Sequence, residues 1–390
     1  MSAFNVIAEH NPDIRRLLEK GYALSIDSDY LVVRDVSYLD ENKNLKVGAL
    51  ISKIVDVDKK QIRLHDHQML FCGSHPCQMD GTPIVNMGGG PATLTLASSD
   101  LVVQRNFSHK PENGYSDFYE KFETYVNIIC GPAIELYGSK AYPWTFRAVD
   151  AAGESVFKFR DTLTSRAEIG DLSSKFKDEV VAIIGLGGTG SYVLDFLVRT
   201  PVKEIRGFDL DSFHVHNAFR SPGKLEEEEL GKRKAEVYQR RYEGFRFGVN
   251  LNSKKILSDS TEELQDVTFA FICIDKGSSR ADIIDVLIKM KIPFIDVGMG
   301  LDRKEGSISG MLRTVYFSKE NSQETLEKNI VPLTDPADDI YRNNIQISEL
   351  NALNACLAII KYKQLVGFYT DDHSFYHTLF NLENIKAISE

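Results

Sequence analysis

The chain has 390 residues, 43% of them hydrophobic, and carries a formal net charge of −10. This length predicts two domains with sizeable cores, and the acidic balance argues against general nucleic-acid binding. No apolar run approaches the length of a membrane span, and the N-terminus lacks a signal-peptide core. The five cysteines are scattered and odd in number, which is typical of a reducing compartment. We therefore expect a cytoplasmic protein that binds neither nucleic acid nor membrane.

Residues 1–150 are expected to form a smaller N-terminal accessory domain of the α+β type. Asn11 and Pro12 predict the start of a helix that runs to about residue 20. A longer helix is predicted over residues 115–137, with a local break at Gly131-Pro132. Short alternating runs predict strands between the two helices, at residues 30–33, 47–55, 62–64 and 93–104.

Residues 151–390 change to an alternation of strands and helices. Apolar runs predict strands at residues 180–184, 204–208, 268–274 and 293–297, with an antiparallel addition at 307–317. Helical periodicity occurs at residues 230–242, 280–290 and 347–365. Repeated β–α units are typical of an α/β domain with a Rossmann-like, doubly wound and mainly parallel sheet, which binds its ligands at the carboxyl ends of the strands.

A glycine-rich turn follows the first of these strands and leads into a segment with helical spacing. Gly185 permits the tight turn, Gly187 lets a phosphate approach the backbone, and Gly190 allows the helix to pack closely on the strand. The helix N-terminus offers free N–H groups and partial positive charge to an anion. Asp209 ends the next strand, about 19 residues after Gly190, where a carboxylate can accept hydrogen bonds from ribose hydroxyls. These features predict a nucleotide site, and an NAD-dependent dehydrogenase would also satisfy them.

Further polar residues follow in an order that a dehydrogenase does not require. The ordered set comprises Gly185, Gly187, Gly188 and Gly190 in the turn, Asp209 and Asp211 at the strand end, Asn217 and Arg220, Lys234 with Ala235, and Asp275 at the end of a later strand. This set resembles the ThiF/MoeB/HesA superfamily, the adenylating fold of ubiquitin-activating enzymes, over residues 160–370. The segment from His216 to Gly223 is similar to a bacterial subgroup in which an uncharacterised domain precedes the ThiF-like domain.

The resemblance implies an ATP-dependent adenylyltransferase that converts a carboxylate into an acyl-adenylate and releases pyrophosphate. In this family the carboxylate is typically the C-terminal glycine of a ubiquitin-like protein, and the enzyme is a homodimer. By resemblance, Arg220 and Lys234 bind the phosphates and Asp275 holds Mg²⁺. Asn217 would bridge phosphate and nucleotide, and Asp209 would take the ribose.

An arginine upstream of the glycine turn also acts in family members. Arg160 and Arg166 both lie in this part of the chain, and Arg166 is the preferred candidate, although spacing alone does not choose between them.

Other interpretations remain open for the same residues. Asp275 could cap the helix that follows it, and Lys234 and Arg220 could be ordinary surface cations. Two rival functions also remain: an NAD-dependent oxidoreductase, and a non-catalytic scaffold of the same fold that binds nucleotide. The oxidoreductase would leave the ordered polar set without a role, so the adenylyltransferase is favoured.

The cysteines do not match the nucleophile of a full ubiquitin-activating enzyme. No cysteine lies between Asp275 and Tyr341, and Cys273 and Cys356 are expected in the core. The first domain contains His65-Asp66-His67 and the segment from Cys72 to Cys77. Ordinary loops with a buried cysteine are the favoured interpretation there. A zinc site and a conjugating-enzyme-like domain that carries the acyl group on Cys77 are the alternatives.

Overall fold

The computed structural model describes residues 3–27, 29–56, 61–94, 96, 98–149, 155–159, 161, 163–164, 167, 169–335, 345–372 and 375–389. The chain divides into two compact units, Met1–Gly170 and Asp171–Glu390. The domain boundary expected between residues 150 and 151 stays a prediction. None of the helices in the described ranges has both the length and the apolar character that a membrane crossing requires.

In its described residues, the first unit combines an antiparallel sheet with three α-helices. Its elements are α1 (Ala3–His10), α2 (Pro12–Lys20), β1 (Ala23–Asp27), β2 (Tyr30–Leu39), β3 (Leu45–Asp56), β4 (Ile62–Leu64), β5 (Met69–Cys72), β6 (Gly90–Pro91), β7 (Arg105–Phe107) and α3 (Phe118–Tyr137). The strand order is β1-β2-β3-β5-β7-β6, and β4 pairs with β3. One core lies between the sheet and the apolar face of α3, in which Phe118, Phe122, Tyr125 and Ile129 recur at helical spacing.

Two local predictions in this unit were wrong, and a third, the start of α2 at Asn11 and Pro12, was confirmed in position. The helix α3 runs without a break through Gly131 and Pro132, because neighbouring turns and tertiary packing hold it. Asn11 occupies the N-cap of α2, but its side chain bonds to the Ile7 carbonyl and the Ile62 N–H instead of the helix. The described part of residues 93–104 contains no strand, although Leu96, Leu101 and Val103 are buried against the sheet.

The second unit is an eight-stranded sheet with helices on both faces. Its elements are α4 (Gly170–Ser173, which begins at the last residue of the first unit), β8 (Val180–Ile184), α5 (Gly188–Leu197), β9 (Glu204–Phe208), α6 (Val215–Ala218), α7 (Lys234–Tyr242), β10 (Val249–Asn252), β11 (Phe269–Ile272), α8 (Gly277–Lys289), β12 (Phe294–Lys304), β13 (Ser307–Phe317), α9 (Ser322–Glu327), α10 (Ser348–Leu365), β14 (His377–Asn381) and β15 (Lys386–Ser389). Alternate residues of β8 point to opposite cores: Val181 and Ile183 pack with α5 and α10, whereas Ala182 and Ile184 pack with α8.

The sheet order places the carboxyl ends of the central strands at a topological switch point. The order is β10-β9-β8-β11-β12-β13-β14-β15, and the first five strands are parallel. The chain builds outward from β8 through β9 to β10 and then returns to the other side of β8 as β11. Ligands of such sheets bind in the crevice that this reversal creates. The predicted α/β fold with a mainly parallel sheet is confirmed.

Several element boundaries differ from the sequence-based prediction. The strand β11 ends at Ile272, so Cys273 lies after the strand and not within it. The strand β12 continues to Lys304 because it pairs with β13 along its whole length. The helix α7 begins at Lys234, since Gly231 adopts a φ of +80° and forms a turn before it.

Candidate nucleotide-binding site

The glycine turn joins β8 to the N-terminus of α5, and each of its glycines has a different steric surrounding. Gly185 has a φ of +95°, and a Cβ at this position would lie 2.4 Å from the Cys273 carbonyl oxygen. A Cβ on Gly190 would lie 1.9 Å from the Gly185 carbonyl oxygen, so α5 packs directly on the turn. At Gly187, in contrast, a Cβ would meet no described atom within 4 Å. At Gly188, the first residue of α5, a Cβ would lie 2.4 Å from Asn351 Nδ2, so the α10 side chain packs against the start of this helix. A helix N-terminus that follows a glycine turn can bind an anion through its first N–H groups.

Asp209 follows β9 and is tied to the glycine turn. Its side chain is buried, with the residue 8% exposed. The Leu186 N–H donates to Oδ2 at 2.7 Å and the Asp211 N–H donates to Oδ1 at 2.8 Å. Burial raises the pKa of this carboxyl group, against the lowering effects of Lys234 and of the two N–H donors. Each carboxylate oxygen has a second lone pair, so Asp209 can hold the turn and still accept a ribose hydroxyl.

Lys234 is the first residue of α7 and is only 5% exposed. Its Nζ donates to Asp211 Oδ2 at 2.8 Å and lies 3.8 Å from Asp209 Oδ1. The hydrogen bond from Lys234 lowers the pKa of Asp211, and the positive charges of Lys276 and Arg233 lower it further. The solvated-surface interpretation of Lys234 is therefore wrong: this ammonium group is buried against two carboxylates at the end of β9.

Arg220 lies on the loop after α6 and is joined to the glycine turn through α10. The Asn351 Nδ2 donates to the Arg220 carbonyl oxygen at 3.4 Å, while Asn351 Oδ1 accepts from Thr189 Oγ1 at 3.0 Å. The Nε of Arg220 is buried and has no hydrogen-bond partner among the described residues. A buried guanidinium donor without a partner is costly, so this arginine is suited to an anionic ligand.

Asn217 helps to shape the loop that presents Arg220. Its side chain is buried, and Oδ1 accepts from the His214 N–H at 2.8 Å, as part of a capping box around α6. The Arg220 N–H in turn donates to the Asn217 carbonyl oxygen at 3.1 Å. The side-chain nitrogen of Asn217 is not engaged in the capping box.

Asp275 lies in the segment that connects β11 to α8, and its side chain is exposed. Gln346 Nε2 donates to its Oδ2 at 3.0 Å. Lys276 occupies the N-cap position of α8, so the alternative in which Asp275 is the N-cap residue is wrong. No group of three or more His, Cys, Asp or Glu side chains converges as a metal site within the described ranges. One exposed carboxylate beside a phosphate site fits Mg²⁺, which usually binds one or two carboxylates together with substrate phosphates.

The cysteine thiols lie in environments that do not favour the thiolate. Burial raises the pKa of the Cys77 thiol, and nearby Glu41 adds to this effect. Its Sγ donates to the His75 carbonyl oxygen at 3.4 Å. Burial also raises the pKa of Cys72 to about 11. These features support the interpretation of Cys77 as a buried loop cysteine, whereas Cys72 ends β5 and Cys130 lies in α3; all five cysteines of the chain are free thiols.

The predicted upstream arginine cannot be placed in the site, and two residues that hold the site together were not predicted from the sequence. Arg160 and Arg166 lie outside the described residues. Asn351 and the buried carboxylate of Asp296 had no predicted role. A polar residue in the apolar stripe of the last helix was a signal for Asn351, and an aspartate inside a predicted buried strand was one for Asp296.

The glycine turn at the switch point, with a carboxylate at the end of the adjacent strand, defines a Rossmann-like nucleotide-binding domain. The ThiF family model matches residues 164–387, more than half of the chain, and the chain belongs to the ThiF family. This confirms the resemblance predicted from the ordered polar residues. A second family model, a domain of unknown function (DUF6791), matches residues 12–162.

Individual proteins are similar to parts of this chain. The tRNA threonylcarbamoyladenosine dehydratase of Escherichia coli (strain K12) is 27% identical over 127 residues, which cover 32% of this chain and 47% of the relative. The chain thus spans about half the length of this curated relative. Escherichia coli MccB, in a structure with ATP, has a TM-score of 0.43 and 18% identity over 56% of this chain and 65% of that chain. TcdA (CsdL) has a TM-score of 0.39 and 18% identity over 52% of this chain and 92% of that chain. At these TM-scores the likeness supports no conclusion about activity.

Proposed function

We propose that the chain is an ATP-dependent adenylyltransferase that activates a carboxylate as an acyl-adenylate. The observation that carries the proposal is the placement of Arg220. Asn351 links its backbone to Thr189 at the N-terminus of α5, and its buried Nε has no partner among the described residues. An arginine with an unpartnered Nε, on a loop linked to the first turn of α5, suits the phosphates of a nucleotide better than it suits a nicotinamide ring.

The proposed reaction needs charge neutralisation more than it needs proton transfer. A carboxylate oxygen attacks the α-phosphorus of ATP, a new P–O bond forms, and the bond to the β-phosphate breaks to release pyrophosphate. Negative charge accumulates on the leaving group, and fixed cations stabilise it. Arg220 and Lys234 would supply those cations from two sides of the glycine turn. Asp209 would accept from the ribose while holding the Leu186 N–H, and Asn217 would bridge phosphate and nucleotide.

Mg²⁺ is part of the proposal, with Asp275 as its protein ligand. The bound ion would neutralise the phosphates and orient pyrophosphate for departure. Lys234 donates to Asp211 and lies near Asp209, and ATP binding would shift part of its bonding from Asp211 to a phosphate. Asp211 belongs to the same nucleotide-binding group because it sets the position of this ammonium group.

The proposal extends to the substrate, the oligomeric state and the cellular compartment. We propose the C-terminus of a ubiquitin-like protein as the carboxylate, a homodimer as the assembly, and the cytoplasm as the place of action. An N-terminal accessory unit would recognise a partner or the substrate. The buried, high-pKa thiols offer no activated nucleophile, which favours an enzyme that ends at the adenylate or passes it to another molecule.

A peptide that ends in Gly-Gly tests the reaction directly. The full chain is incubated with Mg·ATP and either the free-acid peptide or its C-terminal amide, and pyrophosphate release is measured. Hydroxylamine is then added to trap the acyl-adenylate as a hydroxamate. We expect both products with the free acid only, because the amide has no carboxylate to attack phosphorus.

The Asp275→Ala variant should retain its fold and lose about 100-fold or more of the rate of pyrophosphate release.

Two results would argue against the proposal in different ways. Equal pyrophosphate release with both peptides would indicate ATP hydrolysis without acyl transfer. Tight ATP binding without any product from the free acid would contradict the Gly-Gly substrate and favour a nucleotide-binding scaffold.

A further inference from the structure

A buried ion cluster lies directly behind the segment that carries Asp275. Asp296, in β12, is 0% exposed and accepts from Arg280 Nε at 2.8 Å and from Arg313 Nη2 at 2.6 Å. Arg280 belongs to α8 and is also buried, while Arg313 belongs to β13. One carboxylate therefore holds two guanidinium groups in the core, an arrangement with a large desolvation cost and little net gain in stability.

The cluster fixes the backbone on both sides of Asp275. Arg280 Nη2 donates to the carbonyl oxygen of Ile274, the residue immediately before Asp275. On the other side, Gly277 begins α8 in close contact with Thr334, since a Cβ on Gly277 would lie 2.3 Å from the Thr334 carbonyl oxygen. The Ser278 N–H donates to Asp335 Oδ1 at 3.3 Å.

The same two arginines hold the 330–335 segment in place. Arg280 Nη1 donates to the Pro332 carbonyl oxygen at 3.2 Å, and Arg313 Nη1 donates to the Ile330 carbonyl oxygen at 3.2 Å. The segment that packs on the start of α8 is therefore attached to the same buried carboxylate as the Ile274 carbonyl. Both arginines donate to Asp296, which therefore links the two attachments.

We propose that Asp296 is a positioning residue for Asp275. Asp296 orients Arg280, which holds the Ile274 carbonyl and the start of α8. These two attachments determine the position of the Asp275 carboxylate after β11. The inference rests on the proposed function, in which Asp275 is the ligand of the ATP-bound Mg²⁺. Asp296 itself touches neither nucleotide nor metal in this account.

The test uses Asp296→Asn in the full chain, with Arg246→Gln as a control of matched burial. Arg246 is also fully buried in the second unit, where it donates to the carbonyl oxygens of Leu197 and Thr200, and it has no role in placing Asp275. Both variants should lower the melting temperature. Three further quantities are compared: the Mg²⁺ concentration at half-maximal ATP binding, ATP affinity in EDTA, and hydrogen exchange of residues 274–278 without ligand.

We expect Asp296→Asn to raise the Mg²⁺ midpoint about tenfold or more, as loss of an outer-shell partner does at other metal sites. ATP affinity in EDTA should stay within about twofold, and exchange at residues 274–278 should quicken. The Arg246→Gln variant should leave the Mg²⁺ midpoint and the exchange of this segment unchanged. If Asp296→Asn does not fold, Arg280→Lys replaces it, since a lysine keeps the charge but cannot reach both Asp296 and the Ile274 carbonyl in one plane.

The outcomes separate this inference from the proposed function. Equal effects of Asp296→Asn and Arg246→Gln on all three quantities would overturn the positioning role. If the wild-type chain binds no ATP, the proposed function fails. The hydrogen-exchange comparison then still decides whether Asp296 places the segment, because it requires no ligand.

Discussion

Lys121 is a fully buried lysine of the first unit, and its surroundings only partly compensate its charge. It is 0% exposed, and its Nζ donates to Ser52 Oγ at 2.8 Å and to the Asp66 carbonyl oxygen at 2.9 Å. The nearest carboxylate oxygen, Asp66 Oδ1, lies 4.0 Å away. Burial lowers the pKa of Lys121 to about 8, and Asp66 opposes that shift without cancelling it. The folded unit therefore releases this proton more readily than the unfolded chain does.

The pH dependence of stability follows from this difference. Between the folded pKa of about 8 and the unfolded value of 10.5, the unfolded chain binds more protons than the folded one. The free energy of unfolding therefore rises as the pH rises through this window, and it falls as the pH falls. Relative to Lys121→Met, the wild type should gain about 2 kcal/mol of unfolding free energy from pH 7.5 to pH 9.5. Urea unfolding followed by tryptophan fluorescence measures this free energy for the first unit, since Trp144, the sole tryptophan, belongs to that unit.

The comparison with Lys121→Met removes the contribution of other groups that titrate in the same range. Burial raises the pKa values of Cys72 and Cys130, and those thiols would act in the opposite direction in both proteins. An identical pH dependence in wild type and variant would contradict the lowered pKa of Lys121.

The helix α10 connects two parts of the candidate site that are remote in sequence. Asn351 and Asn354 are one turn apart on this helix, and each is 1% exposed. Asn351 joins Thr189 to the Arg220 backbone, whereas Asn354 Nδ2 donates to the Gly298 carbonyl oxygen at 3.1 Å. The two asparagines therefore offer equal burial with different partners.

Replacing each asparagine separates stability from binding. Asn351→Ala and Asn354→Ala should each destabilise the second unit by about 1–3 kcal/mol, because each leaves a buried partner unsatisfied. Only Asn351→Ala should also weaken ATP binding, by about tenfold, since it releases the Arg220 loop from the glycine turn. Thermal unfolding and ATP titration of both variants measure the two effects. Equal ATP affinities would contradict the link through α10.

The elements that could be predicted from the sequence are those whose signals are local. The strand β8, the glycine turn and the antiparallel strand β13 follow from short patterns of apolar residues and glycines, and they were placed with correct bounds or nearly so. The length of β12 could not be predicted in this way, because it depends on pairing with β13. The continuity of α3 through Pro132 depends on tertiary packing, which overrides the local signal.

The same distinction applies to the candidate site. The ordered polar residues could be predicted because they follow one another along a single stretch of chain. Their closeness at the strand ends then follows from the parallel sheet. The contacts of Asn351 with Thr189, and of Asp296 with Arg313, join distant segments. No local pattern encodes such pairs, so only the folded structure reveals them.

At the scale of the whole molecule, the net charge is negative, and both signs of charge meet at the end of β9. The chain carries a net charge of −10, yet Lys234, Arg233 and Lys276 all act on Asp211 at the end of β9. Arg220 lies on the loop joined to the same glycine turn. An acidic protein that gathers cations at the switch point of its sheet is suited to a polyanionic nucleotide.

The central claim, that this is an ATP site and not a nicotinamide site, is tested most directly by calorimetric titration with Mg·ATP and with NAD. The wild type is compared with Lys234→Ala and with Lys232→Ala, which removes an exposed lysine two residues away. We expect the wild type to prefer ATP, Lys234→Ala to weaken ATP binding about 10- to 100-fold, and Lys232→Ala to bind like the wild type. A preference for NAD, or equal ATP affinities for the two lysine variants, would contradict the account.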